Sequence, residues 1–360
     1  MFVRDLRTRR TERVSVTDDG SQVNGSTSQA AISGDGRYVA FSSDATGVVA
    51  GQPANGGSHI FVRDRRTGHT ELVTAGSPTG SDRTGSSHSP AISGDGRYVA
   101  YSSDRSDLVP GKKPGPDRNI YVADRWKGTT RLVTAGADGS PADNASYEPV
   151  ISADGTTIAF RSKATNLLPR GRTPATVAGS KPPPARHMFP FYVYDARTGR
   201  IQGAGVDPVG VLRDAAPDAT LSPDGRYAMF RIFEPGYGTD PDAVHKELYV
   251  RDLRLGTVTK AATPLPGTKT VLDSFRATMT ADNRWVFFAS DADNLVPGDT
   301  NGVADIFRRD LRAGRIERVG VADDGSQTSW PSSSPFVDGR GTTVLFGANG
   351  KVFARRLPPV

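Results

Sequence analysis

A stretch of fourteen residues occurs twice in this chain and constrains its fold more than any other feature. AISGDGRYVAFSSD stands at residues 31–44 and AISGDGRYVAYSSD at 91–104, with Tyr101 in place of Phe41. The turn recurs in weaker form, with its aspartate at Asp35, Asp95, Asp154, Asp224, Asp282 and Asp338. Self-similarity at spacings of 56 to 70 residues is typical of repeat architectures, in which neighbouring units bury one another's faces.

Each repeat contains four short apolar segments, which we label a to d. Examples are PAIS (a), YVAF (b), IFVRD (c) and ELVT (d), and the dominance of Val, Ile, Phe and Tyr predicts strands. Asp-Gly between a and b, and a glycine-containing turn between c and d, are hairpin signals, because glycine adopts positive φ without strain. The 40 glycines and 26 prolines also favour short elements joined by turns.

Four antiparallel strands repeated six times predict an all-β fold, a six-bladed β-propeller that spans residues 1–360 as one domain. A linear β-solenoid is the alternative, but its repeats are shorter and its turns less hairpin-like. The chain starts inside a repeat, because residues 1–16 match a c–d pair. We expect Thr11–Val16 to close the ring as the last strand of the final blade. One strand c is then surplus, either Met1–Asp5 or Val352–Arg356.

The repeat resembles a bacterial family. The pattern SxDGxxxAF…IYVxD…G…LVT is similar to that of TolB-type, WD-repeat-like β-propellers, and SPDGRYAMF at 222–230 is closest to the SPDG turn of that family. The resemblance covers nearly the whole chain and implies a propeller of a bacterial cell envelope. It does not imply an activity, because propellers host many unrelated functions. The chain has no leader peptide, but the incomplete first repeat and the resemblance indicate a secreted or cell-envelope protein.

Charge and composition exclude several functional classes. The formal net charge is +6, but arginine alternates with aspartate, as in FVRDRRTGHTE at 61–71. This pattern predicts a solvated mixed-charge surface and not a nucleic-acid interface. No apolar run approaches the length of a membrane span. The absence of cysteine excludes disulfides and thiol catalysis.

The long connections predict where a ligand binds. The a–b and c–d turns are short and share one face, whereas the b–c and d–a loops are long and share the other; the longest covers about 162–188. Function tends to lie on long loops held by a rigid scaffold. Residues just before strand a are expected to rim the central channel at this face. The predicted site at the channel mouth consists of His88, Tyr147, Glu148, Asp218, Arg276 and Trp330.

Metal-binding and catalytic motifs are sparse. There is no G-x-S-x-G elbow, and the histidines show no H-x-x-x-H spacing. Some propeller-fold pectate-fragment lyases hold a metal with a cluster of histidines. A cluster of this kind, formed by His88, His187 and His245, is an alternative that the sequence leaves open. An oxygen-rich loop is a calcium candidate, with an Asx-turn loop as the alternative. Its residues are Asp299, Asn301 and Asp305. We expect no other cofactor.

These observations lead to two functional hypotheses. The first is a non-catalytic, monomeric scaffold that binds a protein or a cell-envelope component through its long-loop face. The alternative is a carbohydrate-active enzyme, a glycosidase or lyase, that uses the carboxylates of Glu148 and Asp218 at the channel mouth. Glycosidic chemistry requires two carboxyl groups about 5–10 Å apart.

Overall fold

The computed structural model describes residues 1–52, 57–76, 85–112, 114, 117–169, 189–235, 244–268 and 273–358, with backbone alone at 233–235 and 244–245. Every helix or strand in these ranges is a β-strand, and none of the described residues belongs to a helix long and apolar enough to cross a membrane. The chain divides into two compact units, residues 1–173 with 192–202 and residues 174–191 with 203–360.

The strands follow the predicted repeats. An N-terminal hairpin precedes the first repeat and consists of β1 (Phe2–Arg4) and β2 (Thr11–Arg13). The first repeat contains β3 (Thr27–Ile32), β4 (Tyr38–Ser43), β5 (His59–Asp64) and β6 (His69–Leu72). The second contains β7 (Ser87–Ile92), β8 (Tyr98–Ser103), β9 (Asn119–Asp124) and β10 (Thr129–Leu132). The third contains β11 (Ser146–Ile151), β12 (Thr157–Ser162), β13 (Phe189–Asp195) and β14 (Arg200–Gly203).

The later repeats are less regular. The fourth contains β15 (Asp214–Ala215), β16 (Thr220–Leu221), β17 (Tyr227–Pro235), β18 (Val244–Asp252) and β19 (Val258–Lys260). The fifth contains β20 (Ser274–Met279), β21 (Trp285–Ser290), β22 (Asp305–Asp310) and β23 (Ile316–Arg318). The sixth contains β24 (Ser332–Val337), β25 (Thr343–Ala348) and β26 (Lys351–Arg356). Described neighbours in each sheet pair antiparallel.

The duplicated fourteen residues build a hairpin that bonds back to its own backbone. Ser33 Oγ donates to Asp35 Oδ1 at 2.6 Å and accepts from the Tyr38 N–H at 2.9 Å. Asp35 Oδ1 also accepts from the Arg37 N–H at 3.0 Å. Gly36 takes φ 71° at the turn, where a Cβ would be strained. The Ser-x-Asp-Gly spelling therefore recurs because each repeat needs the same turn.

An ion pair joins this turn to the end of strand c. Arg37 Nη2 lies 2.6 Å from Asp64 Oδ2, and the guanidinium stacks on Tyr38 at 4.7 Å. Hydrogen bonds from Arg37 hold the pKa of Asp64 well below its ordinary range. The a–b and c–d turns of a repeat thus lie side by side, as the strand directions predict. Equivalent pairs are Arg97–Asp124, Arg226–Asp252 and Arg284–Asp310.

The same motif packs consecutive repeats together. The Tyr38 ring lies against Gly96 of the second repeat, where an added Cβ would stand 2.1 Å from Tyr38 Cδ2. Tyr98 takes the same position on Gly155 of the third repeat, at 2.2 Å. Glycine is therefore required at this turn for two reasons: the backbone has a positive φ, and the neighbouring aromatic ring leaves no space for a Cβ atom.

A stacked aromatic pair joins strands b and c in every repeat. The ring centroids lie 5.6–6.1 Å apart, a separation at which such pairs stabilise a core beyond the area they bury. The pairs are Phe41–Phe61, Tyr101–Tyr121, Phe160–Tyr192, Phe230–Tyr249, Phe288–Phe307 and Phe346–Phe353. In the last pair Phe353 is 44% exposed, because β26 is an exposed strand.

The prediction of six separate four-stranded blades is not reproduced. Repeats one, two and five form four-stranded sheets, but repeats three and four share a nine-stranded sheet. The reason is that β13 starts early, so that Phe189 and Pro190 pair with Ala215 and Asp214 of β15. The sixth sheet has three strands, because the described chain ends after β26.

The predicted closing strand also pairs differently. In the described residues β2 pairs with β1, with Val3 opposite Glu12, and β26 pairs with β25. The expectation that Thr11–Val16 completes the last blade is therefore not confirmed. The burial expected there does occur, since Val14 and Val16 are 1% and 8% exposed.

Candidate functional site

A β-bulge interrupts strand a at the level of the predicted site. The register of strands a and b shifts at this point in repeats one, two, three, five and six. One non-glycine residue at each bulge has φ between 49° and 54°, and these residues are Gln29, Ser89, Glu148, Arg276 and Ser334. Such a backbone costs of order 1–3 kcal/mol and redirects the side chain. No residue type marks this feature in the sequence, so sequence reasoning missed it.

A side chain of the preceding repeat reaches the bulge in repeats two and five. Gln29 Oε1 accepts from the Ser89 N–H at 2.9 Å in the first unit. In the second unit Asp218 Oδ2 accepts from the Arg276 N–H at 2.7 Å. Each acceptor satisfies a backbone donor at the next bulge. Two of the predicted residues, Asp218 and Arg276, are thereby brought together.

In the first unit, an arginine that the sequence prediction did not include lies at the centre of the site. The Arg118 guanidinium lies 6.0 Å from the centroid of the Tyr147 ring, and the Arg118 C=O accepts from the Ser146 N–H at 2.7 Å. Burial, and then the charge of Arg118, lower the pKa of His88 below its ordinary value. The structure therefore groups His88 and Tyr147 around a cation, and His88 is neutral at pH 7.

Both predicted carboxylates are paired with an arginine of the adjacent strand b. Glu148 Oε2 lies 2.6 Å from Arg161 Nη2, and Arg161 is 4% exposed. Asp218 Oδ1 lies 2.9 Å from Arg231 Nε. Glu148 and Asp218 belong to different compact units, so their joint action in glycosidic chemistry stays a prediction.

Trp330 lies further from the bulge than the other predicted residues. It stands four positions before Ser334 and is 54% exposed. The sixth copy is offset because Asp338 N donates to Thr343 O, the bond that Ser33 makes to Tyr38 in the first repeat. Alignment on the aspartates therefore shifts this repeat by two residues.

The loop predicted as a calcium site has an arginine side chain next to its two carboxylates. Arg318 Nη1 lies 3.0 Å from Asp299 Oδ1 and 3.4 Å from Asp305 Oδ2. Asn301 Nδ2 donates to Asp305 Oδ2 at 2.9 Å. Burial raises the pKa of Asp299 and Asp305. The arginine thus supplies the positive charge that a metal would bring.

The predicted histidine cluster falls partly outside the described residues. His187 lies in the segment that the structure does not describe, and the side chain of His245 is also outside it. A search of the described side chains finds no group of three or more His, Cys, Asp or Glu arranged to hold a metal.

A second cluster of charged residues is buried between the first and second repeats. Arg105, with 0% side-chain exposure, forms a bidentate pair with Asp107 at 2.9 and 2.6 Å. Its Nη1 donates to Thr74 O at 2.7 Å and lies 3.2 Å from His59 Nδ1. Burial, with the nearby Arg105 charge, lowers the pKa of His59 to about 4. The b–c loop of one repeat is thereby fixed to the preceding repeat.

Comparison with known proteins identifies the fold. No family model matches the chain, and no curated protein matches its sequence. The β-propeller domain of the Trilobed protease from Pyrococcus furiosus is similar, with a TM-score of 0.52 and 12% identity over 93% of this chain and 81% of that chain. A putative TolB from Agrobacterium tumefaciens has a TM-score of 0.47 and 17% identity over 99% and 96%. The GH74 xyloglucanase from Xanthomonas campestris has a TM-score of 0.52 and 10% identity over 99% and 48%.

At these identities the likeness is one of fold alone. It agrees with the repeated hairpins, with the contacts between consecutive repeats and with the TolB-type spelling of the turn. The chain is a repeat protein with a β-propeller fold.

Proposed function

We propose that the protein is a non-catalytic scaffold that binds a protein or a cell-envelope component of a bacterium through its long-loop face. The observation that carries this proposal is the pairing of both mouth acids, Glu148 with Arg161 and Asp218 with Arg231. A glycosidase needs two carboxyl groups that both reach the sugar. Here an arginine side chain already occupies an oxygen of each carboxylate. The arrangement therefore suits recognition of polar groups better than acid catalysis.

The ligand contacts are assigned to the first unit. Arg118 and Tyr147 present a cation on an aromatic face, and His88 adds a neutral imidazole. Such a surface binds anionic or carbonyl-rich groups of a partner through hydrogen bonds and stacking.

Site-specific photo-crosslinking tests this function. A photoreactive phenylalanine analogue replaces Tyr147 on the long-loop face or, as the control, Trp126 on the turn face, which is 63% exposed. We expect adducts with a bacterial envelope fraction from position 147 alone, and fewer after Arg118→Ala. Equal adducts from both faces would contradict the assignment. Release of sugar from envelope glycans that Glu148→Gln abolishes would favour the enzyme instead.

We also propose that the six repeats form six blades of a β-propeller and that the N-terminal hairpin takes the position of a blade edge beside the first repeat. The support comes from contacts between repeats. Arg63 Nη1 donates to Thr17 O at 3.2 Å, just as Arg309 Nη1 donates to Ala261 O at 3.2 Å. The hairpin thus takes, beside the first repeat, the place that the end of the fourth repeat takes beside the fifth.

A further inference from the structure

The d–a loops share a second repeated turn. DDGSQ stands at 18–22 and 323–327, and ADGSP stands at 137–141. The same bridge closes each turn, so the positions correspond residue by residue. The bridges are Val16–Gln22, Ala135–Pro141 and Val321–Gln327. This correspondence allows one location to be compared between the second and fifth repeats.

In the fifth repeat a glutamine fills the space between the d–a and b–c loops. Gln327 Nε2 donates to Gly298 O at 2.6 Å. Its Oε1 accepts from the N–H groups of Thr300 at 3.1 Å and Asn301 at 3.0 Å. Nε2 also donates to Thr300 Oγ1 at 3.2 Å. Four hydrogen bonds of one side chain therefore join the two loops.

An ion pair fills the rest of that space. Asp299, with a side chain 3% exposed, lies 3.0 Å from Arg318. The ion pair and the glutamine together occupy this location in the fifth repeat.

In the second repeat all three filling residues are different. Pro141 replaces Gln327, Lys112 replaces Asp299 and Leu132 replaces Arg318. A cavity of about 420 Å³ opens at the same place. Its volume lies within the range of ordinary ligand sites, about 300–1,000 Å³.

The wall of this cavity is built before any ligand binds. Gly136 N donates to Ser140 O at 2.7 Å, and Ala137 N donates to Asn166 O at 2.9 Å. Asn166 Nδ2 also donates to Pro141 O at 2.8 Å. The d–a loop is thus held against the third repeat, and little ordering cost remains for binding.

The lining of the cavity combines apolar side chains with two cations. Val109, Leu132 and Pro141 supply the apolar part of the lining, and Lys112 and Arg131 supply the cations. Both cationic residues are exposed to solvent. We propose that this cavity of the second repeat binds an apolar group that ends in a carboxylate, such as a medium-chain fatty acid or the C-terminal residue of an apolar peptide. The inference does not rest on the proposed function of the channel mouth.

Calorimetric titration of the full chain with octanoate tests this site, with octanamide as the uncharged control. We expect octanoate to bind about tenfold or more tightly than octanamide, because a charge-assisted hydrogen bond is stronger than one between neutral groups. The variant K112Q/R131Q should lose that preference. A leucine-terminated peptide, as free acid and as amide, shows whether the source is a peptide end or a free acid.

A variant that carries the corresponding residues of the fifth repeat provides the matched control. The variant K112D/L132R/P141Q introduces the residues of the fifth repeat and should abolish octanoate binding while the melting temperature is kept. Equal binding of octanoate and octanamide, no binding of either acid, or unchanged binding by this folded variant would each overturn the proposal.

Discussion

Arg105 provides the sharpest test of how the first two repeats are held together. Both members of the Arg105–Asp107 pair are buried, with side-chain exposures of 0% and 1%. Arg105→Ala leaves the carboxylate of Asp107 buried without a cation. Breaking a buried pair in this way costs about 3–5 kcal/mol. At about 2–4 °C per kcal/mol, the melting temperature should fall by about 6–20 °C.

The chain itself supplies the control for this change. The positions of Arg105 and Asp107 are Ala164 and Asn166 in the third repeat, and His59 corresponds to Asn119. The triple variant H59N/R105A/D107N therefore rebuilds the junction of repeats two and three at the junction of repeats one and two. Because no charge is left unpaired, we expect it to lose about 1–2 kcal/mol at most, from imperfect packing.

Thermal unfolding followed by near-ultraviolet circular dichroism measures both variants. The reasoning requires a large loss for Arg105→Ala and recovery of most of it in H59N/R105A/D107N. If the two variants melted at the same reduced temperature, lost volume and not the unpaired charge would explain the effect. If Arg105→Ala melted within about 2 °C of the parent, less than about 1 kcal/mol would be at stake, and the pair would not be buried in solution.

Three further changes test local packing by melting temperature. The pKa of His59 is lowered from 6.5 to about 4 in the folded chain, so the unfolded chain binds more protons between these two values. The free energy of unfolding should therefore rise by up to about 1.4 kcal/mol for each unit by which the pH rises in that window. His59→Asn should remove this slope, and an unchanged slope would exclude the histidine as its source. Gly96→Ala should cost about 2–5 kcal/mol, because it adds a clash with Tyr38 to the strain of positive φ. Gly128→Ala, with open space around it, should cost about 1–2 kcal/mol, and equal losses would refute the contact. Burial raises the pKa of Asp305, so ionisation of this carboxyl group lowers the stability of the fold as the pH rises. Asp305→Asn should therefore raise the melting temperature at pH 7 and should lose that advantage near pH 4. A lower melting temperature of the variant at pH 7 would mean that the ion pair with arginine outweighs burial.

Several features of this protein can be read from short segments of its sequence. The serine, aspartate and glycine of the a–b turns in repeats one to four make their hydrogen bonds within six residues, as Ser33 and Asp35 do with the Tyr38 and Arg37 N–H groups. The aromatic positions of strands b and c recur at a constant offset and stack as the repeat predicts. These interactions are local, so a repeated sequence motif predicts a repeated structure. The repetition of that structure along the chain in turn predicts the propeller fold.

The site depended on interactions that no segment contains. Five residues, from Gln29 to Ser334, take the left-handed backbone conformation of the bulge, and they are not of one type. The bulge therefore arises from the pairing of two strands and not from the preference of a residue type. Glu148 and Asp218 were predicted as carboxylates of the channel mouth, and the structure pairs each with an arginine thirteen residues later across the hairpin. The early start of β13 is likewise decided by the pairing of Phe189 with Ala215, which no short segment of the sequence contains. Partners distant in sequence decide the charge of a group and the edge of a sheet, and only the tertiary structure brings them together.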